Sequence, residues 1–320
     1  MTPSKLRHAS LSIGIATLGL LVAFSVHTAE QPSMVAQEAA AGAWYVQGLS
    51  APGSSGNQNF ISNAGFVVTP QGVVVIDSLG SPALAKRLLE QIRLKTRQPV
   101  VLLIVTHYHP DHIYGLQAFK AEGAHIVAHQ AARSYLNSEA AHSRMEVSRQ
   151  ELAPWINEST QMMVADEWLV GDKAFVVGGV QFQVKAMGPA HTPEDLVVYV
   201  PQKKLLFAGD LVFRGRVPFV GQADSGRWVK ALDALLDLDA SVIVPGHGPL
   251  SKDARSDTLL TRDYLTYLRA TMGQAARQME PFEDAYAAVD WSRFEQLPLF
   301  KVANRINAYN TYLLMEHEPP

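Results

Sequence analysis

Val100-Val101-Leu102-Leu103-Ile104-Val105-Thr106-His107-Tyr108-His109-Pro110-Asp111-His112 is the stretch that decides how this chain folds. Its apolar opening is rich in β-branched residues and short enough to form a fully buried strand. Three imidazoles and a carboxylate then follow within the span 107–112. They stand at the carboxyl end of that strand, where open α/β sheets keep their ligand sites. His107 and His109 are two apart, so an extended backbone points both rings to one side. Pro110 turns the chain and aims Asp111 and His112 at a neighbouring point. Imidazole nitrogen and carboxylate oxygen are ordinary zinc ligands. The plain alternative is a polar loop that merely contains histidine, and the density of ligand-type residues behind a buried strand speaks against it.

The same arrangement recurs further along. Gly188-Pro189-Ala190-His191-Thr192-Pro193 puts a histidine on a tight turn between two strands. Leu205-Leu206-Phe207-Ala208-Gly209-Asp210 is a buried strand ending in glycine and an acid. Pro245-Gly246-His247-Gly248-Pro249 follows the apolar run Ser241–Val244, and its glycines let the backbone approach a crowded centre. Each alone reads equally well as a surface turn. Together they repeat one design, a buried strand ending in a ligand-type residue. Of the eleven histidines, those at 8, 27, 125, 129, 142 and 317 fit no such position, and His129 reads as the start of a helix.

Strands are expected at Asn59–Thr69 and Gly72–Ile76, joined at Pro70-Gln71-Gly72, then at 100–105, 124–128, 174–177, 180–186, 196–200, 205–208 and 241–244. Ser81-Pro82 starts a helix whose Leu84, Leu88, Leu89 and Ile92 share a face. A helix carrying Leu116 and Phe119 follows the histidine loop, and another carries Trp228, Leu232, Leu235 and Leu236. An irregular helical insert runs from about 130 to 168, and long helices fill the C-terminus. This order predicts two mixed sheets with helices on their outer faces.

The chain has 320 residues, 48% apolar and 18% charged, with a net charge of −3, so it offers no polycationic surface and nucleic acid is not an expected partner. Lys5, Arg7 and His8 precede the apolar stretch Leu11–Val26 and then Thr28-Ala29, the parts of a secretory signal. Residues 1–29 are therefore expected to be a signal peptide cut after Ala29, although His27 is unusual three before the cut. An uncleaved anchor is the other reading. Residues 30–43 read as a flexible lead-in, 44–280 as the main domain and 281–320 as a helical extension packed on it. The expected destination is the periplasm or the medium, with no stable membrane insertion once the signal is removed. Without cysteine, neither a lipoprotein anchor nor a disulfide framework is possible.

Taken in order, His107, His109, Asp111, His112, His191, Asp210 and His247 closely resemble the metallo-β-lactamase superfamily pattern. So do Asn63–Val68, Val75–Ser78 and Leu206–Asp210, and the resemblance covers about residues 44–250. It implies an α/β fold, an αββα sandwich with a two-zinc site at one edge of the sheets, with iron or manganese as other metals. His107, His109 and His191 would hold the first ion, and Asp111, His112 and His247 the second, with Asp210 between them. By the same resemblance Asp77 lies behind the site, where it either fixes a ligand ring's tautomer or caps a strand end.

Flavodiiron proteins carry glutamate at the position of His109, and two β-lactamase subclasses need a cysteine that this chain lacks. The third subclass, with its aspartate-histidine-histidine set, generally lacks an acid at Asp210. The lactonase branch places a tyrosine just after that aspartate, where Leu211-Val212-Phe213 stand here. Tyr114 replaces a common glycine, which is similar to exported metallohydrolases encoded near sulfur-oxidation and quinoprotein systems. Asp210 points to the thioester-, lactone- and phosphoester-hydrolysing branches, glyoxalase II-like hydrolases among them, so phosphoester hydrolysis stays open beside the other bond types. The implied activity is hydrolysis of an ester, thioester, lactone or amide in a small-molecule substrate by metal-bound hydroxide, with Asp111 and Asp210 handling the proton. The alternatives are a mononuclear iron enzyme like the persulfide dioxygenases, a β-lactamase of the third subclass, and a non-catalytic accessory protein. Trp155, Met162, Met163 and Trp168 of the insert either line a pocket or, as burial preferences favour, pack the insert down. Arg214 and Arg216 either meet an anionic substrate or are solvated like most loop arginines. The sequence does not fix the oligomeric state.

Overall fold

Alternation along a few central strands sorts the apolar residues of this chain into three layers. The computed structural model describes residues 32–318, so the expected signal peptide, with His8 and His27, lies outside the described residues. The described residues form one unit. Its first sheet runs β1 (Gln37–Ala40), β2 (Ala43–Val46), β3 (Ala64–Thr69), β4 (Gly72–Ile76), β5 (Val100–Ile104), β6 (His125–His129) and β7 (Glu167–Leu169) in spatial order. Its second holds β8 (Lys173–Val177), β9 (Val180–Ala186), β10 (Leu196–Val200), β11 (Leu205–Phe213) and β12 (Val242–His247), each beside the next. The helices are α1 (Pro82–Lys95), α2 (Pro110–Ile113), α3 (Leu116–Ala121), α4 (Ala132–Leu136), α5 (Glu139–Glu151), α6 (Ser225–Leu236), α7 (Ala254–Arg277), α8 (Phe282–Ala288) and α9 (Phe300–His317).

On β4, Val73 and Val75 face a core shared with Leu84, Leu88 and Ile92 of α1, whereas Val74 and Ile76 face the other sheet. On β11, Leu205 and Phe207 meet that inter-sheet core, while Leu206 and Ala208 face Trp228 of α6 and Leu265 and Leu268 of α7. Period-two alternation on a sheet buried on both sides therefore produces helix, sheet, sheet, helix. The αββα sandwich of two mixed sheets is the fold observed. Parallel pairs β4–β5, β5–β6 and β11–β12 bring several carboxyl ends to one edge.

Several expectations need correction. Gln37–Ala40, inside the expected flexible lead-in, pair antiparallel with β2 as an edge strand. Residues 59–63 form a buried loop instead of the start of β3: Phe60 and Asn63 are buried without joining a ladder. His129 ends β6 instead of starting a helix. Tyr114 caps the C-terminal end of α2 and is fully buried, its hydroxyl 3.4 Å from Ser148 Oγ on α5. Its ring supports the helical insert from below. Met162, Met163 and Trp168 pack partly buried against the outer core of the first sheet, and Trp155 Nε1 donates to Ser55 O at 2.8 Å. These residues pack the insert down.

Candidate metal centre

Ligand-type side chains gather where β4, β5, β11 and β12 end. After Ile76 the chain turns through Asp77, whose φ of +62° is a conformation that aspartate tolerates better than most residues. Its Oδ1 accepts from Thr106 N and its Oδ2 from Thr106 Oγ1, both at 2.8 Å, and Oδ2 also accepts from His112 Nδ1 at 2.9 Å. Thr106 Oγ1, having given its proton to Asp77, takes one from His107 Nδ1 at 3.0 Å. His247 Nδ1 donates to Ile61 O at 2.7 Å. In all three rings the outer nitrogen is held from behind, which turns Nε2 inward.

The backbone behind these rings is held as firmly. Ser78 Oγ donates to His112 O at 2.8 Å and Ser62 Oγ to Asp111 O at 2.5 Å. Asn63 Nδ2 donates to Pro245 O and Gly248 O, both at 2.8 Å, and Asn63 N donates to Gly246 O at 2.8 Å. One asparagine just before β3 therefore grips the end of β12 in the second sheet. Its place in the Asn63–Val68 resemblance was visible in sequence, but its role was not. Ser62 and Thr106 carried no signal beyond their closeness to ligand-type residues.

Two glycines make room for Asp210. β11 continues through Asp210 to Phe213, further than its expected end at 208, and its register with β12 slips on both sides of Gly209. Gly209 has φ of +50°, and a Cβ there would lie 2.8 Å from the Thr106 side chain. Such a bulge re-aims the next side chain. A Cβ on Gly246 would stand 2.0 Å from Asp210 Oδ1. The chain approaches too closely there for any residue but glycine.

All seven expected residues converge. His107, His109, His191 and Asp210 form one group, and Asp111, His112 and His247 a second. His109 Nδ1 lies 3.1 Å from both His107 Nε2 and His191 Nε2. Asp210 reaches both groups: Oδ1 is 3.2 Å from His112 Nε2, and Oδ2 is 3.2 Å from His247 Nε2 and 3.4 Å from His191 Nε2. Asp111 Oδ2 lies 3.3 Å from His247 Nε2. His112 Nε2 and Asp210 Oδ1 are buried without a hydrogen bond. Buried polar atoms without partners are rare in native folds, and these belong to nitrogen and oxygen donors suited to a divalent cation. The residues fit a metal site. His125, His129 and His142 stand apart from it.

Electrostatics divide the rings. Burial, with His112 next, holds His107 well below its ordinary value, and burial, with His109 next, brings His191 down to about 3. Burial also works against a charged His112, but Asp210, Asp111 and Asp77 outweigh it and raise that ring. Burial opposes a charged Asp210 in the same way, and His247 and His112 overcome it, holding the carboxylate well below its usual range. The first group thus offers neutral imidazoles, and the carboxylates are ionised. No helix among the described residues is long and apolar enough to cross a membrane.

Comparison with known proteins gives the family. Residues 58–247 match the metallo-beta-lactamase superfamily. A metallo-beta-lactamase type 2 from Elizabethkingia meningoseptica is 28% identical over 193 residues, 59% of this chain and 69% of that protein. A linear primary-alkylsulfatase from a Pseudomonas strain is 24% identical over 238 residues, 63% of this chain and 45% of its own length. Among solved structures, an inverting sec-alkylsulfatase from Pseudomonas sp. superposes with a TM-score of 0.70 at 17% identity, over 88% of this chain and 50% of that one. The chain thus spans about half the length of the alkylsulfatases it matches. This match spans more than half of the chain, and the chain belongs to the metallo-beta-lactamase superfamily.

Proposed function

We propose that this chain is a metal-dependent hydrolase, working with two zinc ions, that cleaves an ester, thioester, lactone or amide bond in a small molecule. The observation that carries this reading is the position of Asp210 between the two ligand groups, one oxygen towards His112 and the other towards His247 and His191. His107, His109 and His191 would hold one ion and Asp111, His112 and His247 the other, with Asp210 shared. Ions so held supply a water acidified to near neutral pH and a Lewis acid for the oxygen of the scissile group. Asp77 and Thr106 keep the Nε2 lone pairs of His112 and His107 turned inward. Asp111 or Asp210, both ionised, would pass a proton from that water to the leaving atom. Removal of residues 1–29 and action outside the cytoplasm belong to the same reading, supported by the basic start and short apolar stretch.

Elemental analysis of the purified chain, paired with a panel of esters, thioesters, lactones and β-lactams, tests the proposal. About two equivalents of zinc, with hydrolysis lost on chelation and regained on adding zinc, is the expected result. One equivalent of iron, with oxygen uptake on a persulfide and no hydrolysis, would overturn it in favour of an oxygenase.

A further inference from the structure

The helix α9 carries apolar residues on two opposite sides. One side is anchored to the rest of the fold. Asn307 Nδ2 donates to Pro218 O at 2.7 Å and to the Tyr264 hydroxyl at 3.0 Å, and that hydroxyl donates to Asn304 Oδ1 at 2.8 Å. Asn310 Nδ2 donates to Gly221 O at 2.7 Å, and Ala303, Ala308 and Met315 are buried. These bonds fix how α9 is rolled about its axis. On the side facing away, Val302, Ile306, Tyr309 and Leu313 stay 63%, 42%, 39% and 38% exposed.

The steps between these residues are four, three and four, which makes one continuous stripe on a helix. Single exposed apolar residues are ordinary on a protein surface, but a continuous apolar stripe marks a contact. Its spacing also reads the same from either end. Laid antiparallel on a second copy, α9 sets Val302 against Leu313 and Ile306 against Tyr309, and the reverse, as a two-fold contact requires. Alternating steps of three and four are those of the core positions in paired helices.

The charges point the same way. Lys301 stands in the first turn of α9, which holds no acid, and Glu316 stands beside His317 in the last. A helix macrodipole favours acids at its start and bases at its end, so Lys301 and Glu316 oppose it. Beside an antiparallel copy, Lys301 approaches the other Glu316 and the negative end of the other dipole. Arg305 is paired with Glu283 of α8. The border of the stripe thus carries Lys301 and Arg305 against Glu283 and Glu316, as many acids as bases. That balance suits a second copy and does not suit an anionic lipid surface, which draws clustered lysine and arginine.

We propose that this face is the contact between two copies of the chain, joined antiparallel along α9 about a two-fold axis. Tyr309, whose ring meets Phe282 edge to face with centroids 5.0 Å apart, lies near the middle as the aromatic anchor. The contact rests on one helix of 18 residues, so it belongs with the smaller, reversible interfaces.

The test uses residues 30–320 purified with zinc, because the described residues form one unit by themselves. Sedimentation at about 100 µM should give twice the mass of one chain, and dilution to about 1 µM should give single chains, as for a contact of micromolar strength. Ile306→Glu, at an exposed position, should keep the parent's melting and metal content yet remain single at both concentrations. Lys301→Glu should weaken pairing, and Lys301→Glu with Glu316→Lys in one chain should restore it. The chain has no cysteine, so engineered ones report orientation cleanly. A mixture of Val302→Cys and Leu313→Cys chains should form a disulfide-linked pair on mild oxidation. Neither should link to itself, because like positions stand roughly 16 Å apart along antiparallel helices.

Single chains at every concentration overturn the proposal. A pair that survives Ile306→Glu lies on another surface, and Val302→Cys chains that link to themselves run in another orientation; either result overturns it too. Binding of single chains to vesicles of phosphatidylglycerol and phosphatidylethanolamine, lost in Ile306→Glu, overturns it in favour of a lipid surface.

Discussion

The two sheets furnish the centre by different means. The first supplies His107, His109, Asp111 and His112 from one loop behind β5, with Asp77 and Thr106 fixing two of the rings from the same edge. The second supplies His191, Asp210 and His247 from a turn and two strands, and relies on a bulge at Gly209 and an empty volume at Gly246. One half is built by a short local segment and the other by register between distant ones. Damage to the first half should remove one contact at a time, and damage to the second should spread.

Gly246→Ala is the harshest test of that contrast. Its Cβ would stand 2.0 Å from Asp210 Oδ1 and 2.7 Å from Gly209 C, so backbone on both β11 and β12 must move. Overpacking of this kind costs about 1–3 kcal/mol, a drop of roughly 2–4 °C in Tm per kcal/mol, and it displaces the Asp210 carboxylate. Metal content below one equivalent and loss of hydrolysis are expected. Two retained equivalents would mean that the second sheet is not the more collective half.

Asp210→Asn keeps the shape and removes the charge that faces both groups. The metal-free variant should melt near the parent, hold fewer than two equivalents and lose hydrolysis by about a thousandfold or more. Full activity in a two-metal variant would deny Asp210 its bridging place. His112→Ala and His247→Ala sharpen the comparison from opposite sheets. Each should lose one equivalent after dialysis, well beyond the ~10–100-fold weakening of a supporting residue. If His247→Ala also loosens the other ion while His112→Ala does not, the second sheet is the coupled half.

The smallest effect lies at Glu194, whose Oε1 accepts from Tyr108 N at 3.2 Å. Burial raises this carboxyl above its ordinary value of 4.5. A raised acid lends stability below the unfolded value and loses it as pH climbs through the folded one. Glu194→Gln keeps the acceptor without the charge. Its Tm should match the parent at acid pH and exceed it by a few degrees near pH 7, and equal curves at both would refute this.

The legible parts of the molecule were those where one segment carries its own message. The loop 107–112 joins an apolar run to dense ligand chemistry, and Gly246-His247-Gly248 declares a close approach; both proved to be where the sequence put them. Boundaries set by partners were not legible. Gln37–Ala40 is short and polar, as edge strands are, and only the neighbouring β2 makes it a strand. Phe60 and Ile61 look like strand residues, yet Ile61 O serves His247 and leaves the ladder. The insert's aromatic and methionine side chains packed downward, as composition favoured. Arg216 could not be told from Arg214 in sequence, because Asp257, which pairs with only one of them, lies far along the chain.

The grip of Asn63 on the end of β12 also sets an order of events in the life of the chain. Its side chain and its partners Pro245 and Gly248 are separated by 182 and 185 residues. A chain made from its N-terminus presents the histidine loop long before anything exists for Asn63 to hold, and domains generally fold as their segments emerge. The side chains of His107, His109, Asp111 and His112 thus stand without Asp210 and His247 while the intervening segments are made. The finished centre is among the last things such a chain acquires, and retained metal serves as a certificate that the second sheet has arrived in register.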